Sequence, residues 1–139
     1  MKRSMAMLIA GVAALVGQSA VAQAIHHKCK GDFGGQATAC IKAPRDGATV
    51  EGADVKVTLM AADMGGSHYH LFLDTDVPAE GQAIPEAPGI THLASGAKEA
   101  RLAGLTAGTH RLIVVLGDGG HVAIARQKSD TAYFTVAGK

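Results

Sequence analysis

The chain has 139 residues, a formal net charge of +1, seven histidines, two cysteines and no tryptophan. That length accommodates one domain around one core. The near-neutral balance excludes partners selected by bulk charge, so neither nucleic acid nor an anionic membrane surface is expected.

Met1-Lys2-Arg3 is a positive start, Met5 to Val16 an apolar stretch, and Ala22-Gln23-Ala24 a small-x-small cleavage site. Together they predict a signal peptide over residues 1–24, cut after Ala24, and a periplasmic or secreted product. The apolar stretch is shorter than the roughly 20 residues a membrane span needs. No membrane association is therefore expected after cleavage. The new terminus would read Ile25-His26-His27. A free amine, two backbone amides and the imidazole of His27 can wrap copper(II) or nickel(II) in a square plane, the geometry those ions favour.

Cys29 and Cys40 are the only cysteines. In an oxidising compartment an even count predicts a Cys29–Cys40 disulfide within an N-terminal segment, residues 25–47. Closing so short a loop stabilises by about 2–3 kcal/mol in the chain-entropy model. A zinc knuckle fits less well, because its cysteines usually stand two to four residues apart.

Residues 48–139 read as strands punctuated by Gly, Pro and Asp turns. Pro44-Arg45-Asp46-Gly47 turns the chain into Thr49-Val50. Val55, Val57, Leu59 and Ala61 alternate with other side chains as in a half-buried strand. A Gly-containing loop then leads to a second strand, His68 to Asp74, and the two suggest a hairpin. Residues 75–96 hold three of the four prolines, a loop long enough to suggest function. Lys98 to Leu102 is a short strand. In Thr109 to Leu116, His110, Leu112, Val114 and Leu116 share one face while Ile113 and Val115 keep the other apolar, which marks a central strand. Gly117-Asp118-Gly119-Gly120 is a turn, His121 to Ala125 a short strand candidate, and Thr131 to Val136 the last strand. Short strands with frequent turn signals predict an all-β fold, a small antiparallel immunoglobulin-like β-sandwich.

His68 and His70 point the same way, because strand side chains alternate with period two. Paired imidazoles on a rigid strand suit zinc or copper. His121, just beyond the turn, is the expected third ligand, with His92 and Met64 as further candidates; Met60 reads as core. His110 stands where a sandwich often places a corner residue that bonds back to the backbone.

HYHLFLD followed by LTAGTHRLIVVLGDGGH resembles a bacterial secreted domain family of unknown function whose signature is HHHLLID, then PGxHTLxLxLGDxxH. The resemblance spans about Val50 to Val136 and places His68, His70, His110, Gly117, Asp118 and His121 on the signature. His92 falls near a histidine often seen in the loop. Tyr69 replaces the middle histidine, Ala107 the turn proline, and Val122 to Ala125 a Pro-His-rich stretch. The resemblance implies an exported sandwich and no activity.

Three functions follow. One is a periplasmic metal-handling module that binds copper or zinc. A second is a metal-free interaction or adhesion-type module that uses loop 75–96 for a periplasmic protein partner. The third is a zinc hydrolase with Asp63, Asp74 or Asp118 as base. No nucleophile elbow, HExxH helix or phosphate loop supports the third, so a non-enzymatic role is expected.

Overall fold

Alternating apolar side chains fold the described residues of this chain into eight strands. The computed structural model describes residues 39–62, 65–124 and 130–138. The signal peptide, His27, Cys29 and Met64 lie outside the described residues, and with Cys29 so does the expected bridge to Cys40.

The strands are β1 (Ala39–Ala43), β2 (Ala48–Val50), β3 (Val55–Ala61), β4 (His68–Leu73), β5 (Ile90–His92), β6 (Glu99–Leu102), β7 (Gly108–Gly117) and β8 (Asp130–Val136). They form two sheets, ordered β1-β3-β6 and β2-β8-β7-β4-β5. The chain is thus an all-β sandwich, and β7 is central as its two apolar faces require. One pair departs from the antiparallel expectation: β2 runs parallel to β8.

The expected hairpin between residues 55–61 and 68–74 does not form. β3 pairs with β1 and β6, whereas β4 pairs with β5 and β7. The glycine-containing connection carries the chain from one sheet to the other. β1 belongs to the sandwich although sequence reading left it in the N-terminal segment, and β5 lies within the stretch read as loop. Residues 121–124 make only bridges, Ala83 to Val122 and Gly117 to Ala123.

Two apolar clusters result. Between the sheets, Val57, Leu59, Tyr69, Leu71, Leu112, Val114, Leu116 and Phe134 are buried together. On the outer face of the five-stranded sheet, Phe72, Ile84, Val115 and Ala123 form a second cluster, flanked by Val77, Ile90 and Ile113. Strand parity explains the division: odd residues of β4 face the sandwich interior and even ones face out. The long loop covers that outer face. It is held there by Gly81 N–H to Ala123 O, Ala123 N–H to Gln82 O and Ile84 N–H to His121 O at 2.7–2.9 Å.

Candidate metal centre

The outer face carries His68, His70 and Phe72, so the histidine pair continues the row that ends in the second apolar cluster. Register brings in the next residue: His70 lies directly opposite His92 on β5, and Phe72 opposite Ile90. On the other side His68 faces Gly117 at the end of β7. His121 arrives from the turn after β7. Asp118 shapes that turn by accepting the Gly120 and Val122 N–H groups on Oδ1, at 2.8 and 2.9 Å. The His121 backbone has φ 60°, a left-handed conformation that costs a non-glycine residue stability.

These elements gather four imidazoles. The ring centres of His68 lie 5.0 Å from His70, 4.3 Å from His92 and 4.6 Å from His121. His70 stands 5.0 Å from His92 and 5.4 Å from His121, and the last pair, His92 and His121, is 4.8 Å apart. Among them His68, His70 and His92 offer one ring nitrogen each, all within 4.8 Å of one another.

The site is graded in depth. His70 is 2% exposed, His68 and His121 are half-buried, and His92 is exposed. Both ring nitrogens of His70 and Nε2 of His68 are buried without a hydrogen-bond partner. An unsatisfied buried polar group typically costs about 1–3 kcal/mol, so a metal ion or a water that partnered these three atoms would stabilise the site. Burial, then the neighbouring histidines, push the His70 pKa down to about 4. Burial and the His92 and His121 charges lower that of His68, against a smaller opposing pull from Asp118. Both rings are thereby neutral at pH 7, the form that donates a lone pair to a metal.

Gly117 makes room for this arrangement. A Cβ there would stand 2.9 Å from His70 Cε1, 3.0 Å from His70 Nδ1 and 3.1 Å from Ile84 Cδ1. The His70 ring lies against bare backbone. The sequence places Gly117 in a signature and at the start of a turn, whereas it is the last residue of β7, paired with His68; its steric role becomes visible once β4 and β7 are paired.

His110 stands apart from this group. It lies on the inward face of β7, with its ring 5.6 Å from Phe134. Nδ1 donates to Asp74 Oδ2 at 2.6 Å and Nε2 to the Thr106 carbonyl at 2.8 Å. A carbonyl only accepts, and an ionised carboxylate only accepts, so both nitrogens carry hydrogen and the ring is an imidazolium. The Thr106 and Asp74 bonds raise its pKa. Asp74 Oδ1 also accepts the Arg111 N–H at 2.7 Å. Burial pushes the Asp74 pKa up, but the Arg111 N–H bond and His110 together outweigh it and hold the carboxyl below its ordinary value. With neither nitrogen free, His110 is the corner residue and has no lone pair for a metal. Asp74, a candidate base in the hydrolase reading, is committed to the same corner.

Among known proteins, a family model described as "Domain of unknown function (DUF4399)" matches residues 48–137. No curated protein matches the chain. Solved structures similar to this chain include fibronectin(III)-like modules of Clostridium thermocellum CbhA, at 18% identity and TM-score 0.47, covering 71% of this chain and 95% of that one. An engineered protein is similar to this chain at 16% identity and TM-score 0.48, covering 74% of this chain and 20% of the other. The chain belongs to the DUF4399 family.

Proposed function

We propose that this DUF4399 member is a metal-handling domain that binds one transition-metal ion, zinc or copper, through His68, His70 and His92, with His121 beside them. The observation that carries this reading is His70: a buried, neutral imidazole with two unpartnered nitrogens, surrounded by three other imidazoles. A metal ion satisfies such a group in a way that a solvated surface histidine does not need. The signal-peptide pattern of residues 1–24 supports a periplasmic or secreted setting. Ile25-His26-His27 and Met64 would add separate or auxiliary copper ligands, and the Cys29–Cys40 bridge would tether the segment that bears His27.

The test uses purified mature protein and a zinc titration read by calorimetry and native mass spectrometry. The expected result is near one equivalent of zinc, abolished in the double variant His68→Ala/His70→Ala. Unchanged zinc binding by a folded double variant contradicts the reading and leaves the protein-interaction role of loop 75–96 as its replacement. A copper(II) titration of His27→Ala addresses the N-terminal site separately: its square-planar nitrogen set suits copper(II) and is lost with the His27 imidazole.

A further inference from the structure

The six distances among the four rings define a shape. For imidazoles bound at about 2.0–2.1 Å, each ring centre stands about 3.2 Å from the metal, and a tetrahedral set separates them by about 5.2 Å. A square-planar set instead gives four separations of about 4.5 Å and two diagonals of about 6.4 Å. The observed values run from 4.3 to 5.4 Å with no long diagonal. Four points with six similar separations are the corners of a near-regular tetrahedron. The rings already stand within about 1 Å of the separations a bound ion would impose, so loading the site needs a modest spreading and turning of the rings.

Resting on the metal-binding reading above, we infer that His121 is the fourth ligand of a closed tetrahedral four-imidazole site, matched to zinc(II) rather than copper(II). Its ring lies 4.6 Å from His68 and 4.8 Å from His92, within the 4.3–5.0 Å spread of the other three, and 5.4 Å from His70. The nitrogens grouped within 4.8 Å are those of His68, His70 and His92, so the His121 ring must turn to join them. Zinc(II) has no d-electron preference and accepts tetrahedral nitrogen sets, whereas copper(II) favours tetragonal ones. Four protein ligands leave no position for water, as in structural rather than hydrolytic zinc sites. The ion then joins three separate segments: β4 through His68 and His70, the end of the long loop through His92, and the β7 turn through His121. Its consequence is to clamp the outer-face cover, not to activate water.

Cobalt(II) replaces zinc as a visible reporter of coordination, with azide as a probe for an open position. His121→Gly is the variant of choice because glycine adopts the φ of 60° at that position without strain. Parent protein loaded with cobalt is expected to show the intense visible bands of a tetrahedral ion, unchanged by azide. Cobalt-loaded His121→Gly is expected to shift on adding azide and to regain the parent spectrum with millimolar imidazole. An azide shift in the parent, or a variant spectrum identical to that of the parent, overturns the fourth-ligand assignment while leaving metal binding intact. Failure of the parent to bind cobalt or zinc overturns the metal reading itself.

Discussion

Replacing Gly117 by alanine tests the site without touching any ligand. The new Cβ would approach His70 Cε1 to 2.9 Å and Ile84 Cδ1 to 3.1 Å, against ordinary carbon contacts of about 3.5–4.0 Å. The His70 ring must therefore retreat by roughly half an ångström, about the tolerance within which a metal ligand has to be held. Overpacking a filled site costs about 1–3 kcal/mol, and the stiffer unfolded chain returns about 0.4–1 kcal/mol. A net loss of about 1–2 kcal/mol would lower the melting temperature of a domain this size by about 4–15 °C. Metal affinity is expected to fall by about 10–100-fold, as it does when a supporting group beside a ligand is disturbed. Thermal melts of metal-free protein give the first quantity, and zinc competition against a chelator the second. Gly65→Ala is the control, since its Cβ meets nothing within 4 Å. Parent-like zinc affinity in a folded Gly117→Ala variant would refute the placement of His70 as a ligand.

Other substitutions separate scaffold from site. Because the His110 pKa is raised above 6.5, its stabilisation is complete below about pH 6.5 and is lost as pH rises through the folded value. Asp74, held below 3.8, stabilises above that pH, and its contribution disappears as pH falls through its folded value. Chemical denaturation across pH should thus show His110→Ala losing about 2 kcal/mol near pH 5, with a smaller deficit at high pH and zinc stoichiometry unchanged; an equal deficit at every pH would contradict the imidazolium. Gly89→Ala combines a φ of 83° with a Cβ 2.7 Å from the Leu73 carbonyl. It should lower the melting temperature and weaken zinc binding through His92, and a neutral result in both assays would argue against the β4–β5 register. Phe72→Ala and Phe134→Ala should each cost about 3–5 kcal/mol. Hydrogen exchange should show loop 75–89 loosened selectively by the first, and equal loosening by both would deny the separate outer cluster.

Periodicity made β3, β4, β7 and β8 readable, because Val55 to Ala61 and His110 to Val114 bury every second residue. β1 escaped because Ala39, Cys40 and Ile41 are buried in succession, and β5 because three residues are too few to show a period. The false hairpin came from a turn signal that marks a reversal without saying which sheet the next strand joins. For the site, parity correctly set His68 and His70 on one face and grouped His110 with the inward-facing Leu112. What parity could not supply was cross-strand register, which places His92 opposite His70, or the packing of Ile84 and Ala123 over Phe72 and Val115 beside the pair. Phe72 and Val115 carried a trace of it, since apolar residues on the outward face need something to lie over them.

The most direct measurement is the anomalous difference density of crystals of the zinc-loaded mature protein, recorded on both sides of the zinc edge. One strong peak is expected, centred among the rings of His68, His70, His92 and His121, about 2.0–2.1 Å from one nitrogen of each. A peak elsewhere, or none among these rings under saturating zinc, would contradict it.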